Sequence, residues 1–367
     1  MKVLLFDTVA DRYGSSRICR LILDTLRSTG HSVTAHVGEN RLPAAQAYAD
    51  EYPFPMLVFA KLRSRPFRYL CELAGKAWNF RRRPAAGWRE ARLVYCNTFG
   101  TLPAALLSRW AGKRVVVHLH ETPQGPVIRL LGRTLLKLAA HRVIFVSGAI
   151  ARAWGLADDP SSRIVHNGLP ALDLPLAAER EYDIVFVGRL TEKKGFPVLL
   201  DALARLEALG HPLRVAIAGA TLNGAPLPPS WEAVAAQRHV RVDMLGEVDE
   251  GALLFYRGKV ACVPSVYADP FPTVILEGLR AGCALVASAV GGANESLADT
   301  QGNALIPPED AAALADALAQ AVATWSLDRI GRANRSHFEQ RFGLDGFQAR
   351  LLKALDKELA ASDAASA

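Results

Sequence analysis

Short apolar, β-branched runs alternate with stretches of helical periodicity along nearly the whole chain. Residues 2–6 read as a buried strand, followed by a turn containing Gly14, a helix over about 15–29 and a second strand over 32–37. Runs at 93–96, 114–119, 142–146 and 164–166 continue the series, and helical patterns fit between most of them. Strands apolar on both faces and separated by helices predict a parallel sheet covered on both sides. A loose stretch, 170–180, carries Pro170 and Pro175, and then the pattern restarts. Strands are expected at 183–187, 213–218, 240–245, 260–263 and 284–287, and helices at 310–324, 328–341 and 345–360. A helix over 196–209 shows Phe196, Leu199, Leu200, Leu203, Leu206 and Leu209 on one stripe.

The predicted fold class is α/β, with two doubly wound Rossmann-like domains over 1–170 and 181–340. Residues 341–367 form a closing helix and a frayed tail rich in Ala and Ser. Ligands of open parallel sheets bind beyond the carboxyl ends of the strands. Two such domains facing each other make a cleft, and chemistry is sought in the loops that follow strands.

Composition narrows the class further. No apolar run reaches the ~20 residues of a membrane span. The greasiest window, 127–146, is cut by Arg129, Arg133, Lys137, His141 and Arg142. Only four apolar residues separate Lys2 from Asp7, too few for an export core, so a cytoplasmic protein is expected. The five cysteines are scattered, without a closely spaced pair, which argues against a disulfide framework and against a metal site. The net charge of +7 is concentrated: residues 61–92 hold ten basic residues, from Lys61, Arg63 and Arg65 to Arg81, Arg82 and Arg83, against Glu72 and Glu90. Phe67, Tyr69, Trp78, Phe80 and Trp88 are interleaved. Such a stripe fits an anionic membrane surface or an anionic acceptor, and equally a solvated helix face. No nucleic-acid motif accompanies it, so nucleic acid is not an expected partner. A peripheral position at the inner face of a membrane is.

The strongest local signal is Gly188-Arg189-Leu190-Thr191-Glu192-Lys193-Lys194-Gly195, after a strand and before a helix. Arg189 and Lys194 lie across a tight turn and can converge on one anion, as a diphosphate requires both when bound and when leaving. The second signal is Asp269-Pro270-Phe271-Pro272-Thr273-Val274-Ile275-Leu276-Glu277, an acid, seven residues and a second acid across a loop and the first turn of a helix. Acids there can accept hydrogen bonds from sugar and ribose hydroxyls, while free backbone N–H groups near Pro272, Thr273 and Val274 suit a phosphate. Taken alone, Glu277 would also serve as a carboxylate favoured by the helix dipole.

These two segments resemble the retaining glycosyltransferases of the two-Rossmann-domain (GT-B) type, specifically glycosyltransferase family 4. The family's Gly-Arg-…-Lys-Gly loop is matched by Gly188, Arg189, Lys194 and Gly195, and its Glu, seven residues, Glu by Asp269 and Glu277, with Asp in place of the first Glu. Gly291-Gly292-Ala293-Asn294-Glu295 is similar to the turn behind the donor, ending on Glu295. Tyr13-Gly14-Ser15-Ser16 resembles the glycine loop that approaches the donor phosphates, with the single Gly14 where two glycines usually stand. His120-Glu121 resembles a strand-end His, which touches the transferred sugar, followed by an acid; His118 reads as a core histidine. Ser147-Gly148 and Asn167-Gly168 fit later strand-end loops.

The resemblance implies a mechanism. Arg189 and Lys194 hold the donor diphosphate and stabilise it as it leaves, Glu277 binds the ribose, and Asp269 binds the sugar hydroxyls. The acceptor gives its proton to the departing phosphate, so no side-chain base is required. No Asp-x-Asp is present, and activity independent of metal and cofactor is expected. The expected donor is a nucleotide-diphosphate sugar, with UDP favoured, and the expected acceptor a cell-surface polysaccharide or lipid-linked glycan. A sugar-nucleotide epimerase of the same architecture and a non-catalytic sugar-nucleotide-binding subunit are the alternatives.

Overall fold

The apolar runs pair into two wholly parallel sheets. The computed structural model describes residues 1–12, 14–58, 66–210, 212–248 and 250–360, without the side chains of Pro66 and Asn223. Tyr13, the basic Lys61, Arg63 and Arg65, and the tail 361–367 lie outside the described residues. Two compact units result: Met1–Asn167 together with the residues from Phe347 onward, and Gly168–Gly346.

In the first unit the strands are β1 (Lys2–Asp7), β2 (Ser32–Val37), β3 (Asp50–Glu51), β4 (Leu93–Asn97), β5 (Arg114–Leu119), β6 (Arg142–Phe145) and β7 (Ser162–Ile164). Their order is β3-β2-β1-β4-β5-β6-β7. In the second unit they are β8 (Tyr182–Val187), β9 (Leu213–Ala218), β10 (Val240–Gly246), β11 (Gly258–Val263), β12 (Ala284–Ser288) and β13 (Ala304–Ile306), in the order β10-β9-β8-β11-β12-β13. The central strands are buried on both faces: β4 is buried throughout, and so is β12. That is why they read as continuous apolar runs rather than as alternation.

Strand order reverses at β1, which lies between β2 and β4, and at β8, which lies between β9 and β11. Crossovers leave in opposite directions at these points and open a crevice beyond the strand ends. The loops after β1 and β4, and those after β8 and β11, therefore hold the two ligand-binding positions that the topology creates.

The helix Phe196–Ala208 buries Phe196, Leu199, Leu200, Leu203 and Leu206, as its stripe predicts. Leu209, the sixth position of that stripe, is instead 55% exposed, because the helix ends before it and Gly210 turns the chain with φ 69°. Three expectations are corrected in place. The seventh strand is Ser162–Ile164 rather than 164–166, an edge strand with two of its three residues exposed and so without an apolar signature. The helix expected at 328–341 opens with a π turn, Leu327–Gly331, and only then runs as Arg332–Phe342. Glu277 lies beyond the first turn of the helix Thr273–Arg280, whose first turn has no acid, so the dipole reading of that carboxylate does not hold.

The last helix, Leu344–Ala360, buries Phe347, Leu351, Ala354 and Leu355 and returns the chain to the first unit. There Glu358 meets Arg142 at the start of β6, at 3.3 Å with both side chains almost fully buried. Cys19, Cys96, Cys262 and Cys283 are buried and free, and Cys71 is exposed. No helix among the described residues is long and apolar enough to cross a membrane.

Candidate functional site

The loop after β8 is tied down on both sides. Gly188 N–H donates to Ala218 O and Leu190 N–H to Ala220 O, both in the strand and loop of β9. A 3-10 turn, Glu192–Lys194, then brings the chain to Gly195, which has φ 72° and precedes the helix Phe196–Ala208. Val266 N–H, after β11, donates to Lys193 O at 3.0 Å, so the loops of the two strands at the switch point are joined. Three glycines permit backbones to meet here. A Cβ on Gly195 would stand 1.7 Å from Pro264 O, one on Gly219 1.8 Å from Gly188 O, and one on Gly291 2.1 Å from Asp269 O. These positions require glycine for closeness as well as for positive φ.

This scaffold gathers side chains far apart in sequence. Lys194 Nζ lies 2.6 Å from Asp269 Oδ2, with the two side chains 23% and 14% exposed. The same ammonium is 5.4 Å from the centre of the Tyr267 ring. The Tyr267 hydroxyl is held above its ordinary pKa by burial first, then by the Asp269 charge and hydrogen bond, while the charge of Arg189 opposes that rise. Arg189, Lys194, Tyr267 and Asp269 thus form one electrostatic group. Beside it, the helix Thr273–Arg280 begins at Pro272 without a side-chain cap, leaving its first N–H groups for an anion. Glu277 is buried in the same helix. Gly292 N–H donates to Asp269 O, so the Gly291-Gly292 turn lies directly under Asp269, and Glu295 follows in the short helix Ala293–Ser296. Ser147 caps the helix Gly148–Trp154 by accepting from Ile150 N–H, which accounts for it structurally.

In the first unit a cavity of about 420 Å³ opens at the β1/β4 switch point, lined among others by Thr8, Ser15, Thr98, His120, Glu121 and Trp154. Gly14 begins the helix Gly14–Ser28 beside it. Below the cavity, Asp7 ends β1, Asn97 ends β4 and His120 follows β5, three neighbouring strands. His120 Nε2 lies 2.8 Å from Asn97 Oδ1, so Nε2 carries the proton and Nδ1 is an acceptor. Burial holds His120 down at about 3, so the ring is neutral near neutral pH. His118 stacks beneath it, ring centres 4.3 Å apart, and meets Tyr95 Oη at 2.8 Å, as a core histidine does. Glu121 accepts from the backbone N–H groups of Phe99 and His120, yet burial still raises it to about 7. Asp7, bonded by Tyr48 Oη, is raised to about 6 by burial. Thr98 adopts φ 72°, a strained conformation for a residue with a Cβ, beside this group.

These shifts oppose each other in the pH dependence of stability. Depressed histidines stabilise the fold above their ordinary value of 6.5 and lose that contribution as pH falls: His120 toward about 3 and His141 toward about 4, with buried His118 depressed in the same direction. Asp7 and Glu121, raised from 3.8 and 4.5, act oppositely, favouring the fold as pH falls through about 6 and about 7 respectively. Three histidines outweigh two carboxylates, so the first unit is expected to weaken as pH drops from about 6.5 to about 4. Denaturant midpoints followed by tryptophan fluorescence would check this; midpoints that rise steadily on acidification would mean that the carboxylates dominate.

The sequence did not single out Asp7, Asn97 or Tyr48. A polar residue closing an apolar strand run was the available signal for the first two; nothing local marks Tyr48.

Two parallel-sheet units, each with its polar cluster at the switch point, define the GT-B class. Residues 181–324 match the family described as glycosyl transferases group 1. Among curated proteins, a glycogen synthase from Mycobacterium tuberculosis is 34% identical over 166 residues, 42% of this chain and 38% of that protein. A phosphatidyl-myo-inositol mannosyltransferase from Mycobacterium leprae is 33% identical over 138 residues, 37% of this chain and 36% of that protein. The matched region thus spans well under half the length of these relatives. HepE from Anabaena, solved in complex with UDP and glucose, has the same fold, with a TM-score of 0.73, 20% identity and coverage of 97% of this chain and 99% of that one. Over residues 181–324 the chain is thus similar to the group 1 glycosyltransferases.

Proposed function

We propose that the protein is a retaining glycosyltransferase that moves a hexosyl group from a nucleoside-diphosphate sugar to an acceptor hydroxyl. The observation that carries this reading is the assembly of Arg189, Lys194, Tyr267 and Asp269 beside the uncapped start of the helix Thr273–Arg280. A diphosphate entering there meets two cations and the first N–H groups of a helix, and needs no metal ion to neutralise it. Lys194 leaves Asp269 for the phosphate, and Asp269 turns to the sugar hydroxyls. Glu277 takes the ribose, and the turn from Gly291 to Glu295 backs the sugar. As the bond from the anomeric carbon to the phosphate oxygen breaks, Arg189 and Lys194 stabilise the charge that develops. The acceptor oxygen bonds to the same face of the anomeric carbon and its proton passes to the departing phosphate oxygen.

In the first unit neutral His120 offers Nδ1 as an acceptor to a hydroxyl entering that unit's own cavity, beside which Gly14 begins a helix. The donor favoured is a UDP-sugar, the nucleotide that HepE binds. The acceptor favoured is a cell-surface polysaccharide or lipid-linked glycan, in keeping with the inositol lipid named for the mannosyltransferase relative.

The test is direct. Purified protein with a UDP-sugar should release UDP only when acceptor is added, and NMR of the first-formed glycoside should show the anomeric configuration of the donor. An inverted product would overturn the mechanism; interconversion of the UDP-sugar without UDP release would establish the epimerase instead.

A further inference from the structure

The helix Pro126–Ala139 presents three faces instead of two. Gly132, Leu136 and Ala139 are buried, Gly132 so closely that a Cβ would stand 2.6 Å from the Trp154 ring. Arg129, Arg133 and Lys137 recur every four residues on a second face. Val127, Leu130, Leu131, Leu135 and Leu138, at i, i+3, i+4, i+8 and i+11, form a third, and they are 65%, 67%, 56%, 36% and 60% exposed. An amphipathic helix on a globular unit turns its apolar stripe to the core. Here a narrow stripe of small residues makes the core contact, and the leucine stripe faces water, where an unbroken apolar surface marks an interaction site.

The surface continues onto neighbouring helices. Leu102–Trp110 packs against this helix and against Pro66–Arg82. The crossovers leaving β3, β4 and β5 run in one direction across the sheet, so right-handed connection sets all three helices on one face. Trp110 is 78% exposed, Phe67 82% and Trp78 62%, and the Arg82 guanidinium lies over the Trp78 ring. Arg81, Arg82 and the following Arg83 are exposed. Together the three helices carry eight Lys and Arg and a single acid, Glu72.

We propose that this helical face docks on an anionic lipid bilayer. The leucine stripe of Pro126–Ala139 enters the boundary between headgroups and acyl chains, and the cations beside it meet lipid phosphates. Charge selects this occupant. A second copy of the same face would bring cations against cations, whereas anionic headgroups neutralise them while the apolar residues leave water. The exposed tryptophans belong at the same depth, since an indole is apolar with one polar edge. The inference stands apart from the transfer reading, because its measurement is membrane partition, not turnover.

The experiment sediments the full chain with vesicles of phosphatidylcholine alone and of phosphatidylcholine mixed with phosphatidylglycerol. The protein should partition onto the mixed vesicles. The double variant Leu130→Ser/Leu138→Ser, at two exposed positions, should melt as the unchanged protein does and lose partition by about tenfold or more, as withdrawal of two leucines from an apolar phase requires. The double variant Arg129→Gln/Arg133→Gln should lose binding to the mixed vesicles by about twenty-five-fold, at roughly fivefold per cation near the surface. Equal partition of the unchanged protein and the leucine variant would overturn the proposal. So would a protein that stays in solution with both vesicles, or one that forms a dimer which the leucine variant splits.

Discussion

Gly195→Ala is expected to lower the melting temperature of the second unit by about ten degrees and to abolish nucleoside-diphosphate binding. Two costs coincide at this residue. Its φ of 72° lies in the left-handed region, where a side chain costs roughly 1–2 kcal/mol. A Cβ there would also stand 1.7 Å from Pro264 O, a backbone atom that cannot turn aside. The loop after β8 or the end of β11 must shift, and both belong to the switch point. A combined loss of about 3 kcal/mol or more is the outcome expected when a strained position is also overpacked. In a unit of this size that moves the melting point by roughly 2–4 °C per kcal/mol. Because Lys194 precedes this glycine and Val266 is hydrogen-bonded to Lys193, the shift displaces the cation as well. Calorimetric melting of the variant alongside the unchanged protein decides the matter; superimposable melts would show that the two backbones do not in fact approach so closely.

Lys194 and Asp269 should respond to substitution in opposite senses. Lys194→Ala removes a cation and leaves a largely buried carboxylate beside Tyr267, so UDP affinity should fall by about tenfold or more, a charge-assisted contact being worth ~1.5–3 kcal/mol. Arg189→Ala should do the same. Asp269→Asn instead releases Lys194 from the 2.6 Å ion pair that competes with the phosphate. UDP should then bind as well as before or more tightly, while turnover drops by about tenfold or more, because a charged acceptor for sugar hydroxyls becomes a weaker neutral one. Titration calorimetry and steady-state rates separate the two effects. Unchanged UDP affinity in both cation variants would remove this loop as the phosphate site, and full activity of Asp269→Asn would remove that residue from the sugar.

How far these features could be seen in the sequence depends on how local their causes are. The strand β8, the loop from Gly188 to Gly195 and the stripe of Phe196–Ala208 are set by neighbouring residues, and their pattern predicts them. The two-residue β3 and the three-residue β13 are too short to carry a period, and neither was expected. Asp7, Asn97 and His120 meet only because β1, β4 and β5 are adjacent, an order the chain sequence leaves open. The Lys194–Asp269 pair likewise joins positions 75 residues apart. The helix Pro126–Ala139 shows a subtler limit: periodicity reports an apolar stripe but not which stripe is buried, and here the core contact falls on Gly132, Leu136 and Ala139.

The buried pair of Arg142 and Glu358 bears on the order in which the protein is made. The second unit is a continuous segment, Gly168–Gly346, and can collapse as soon as it leaves the ribosome. The first unit is emitted earlier, yet one wall of its core, Phe347, Leu351 and Leu355, arrives only after the whole second unit has been made. Until then Arg142 has no carboxylate at that site, and the apolar surface that the last helix will cover stays open to water. Synthesis therefore runs against assembly: the half that emerges first is completed last. A chain stalled between Gly346 and Glu358 would hold a finished second unit behind an unfinished first one, the stage at which chaperone binding and aggregation would concentrate.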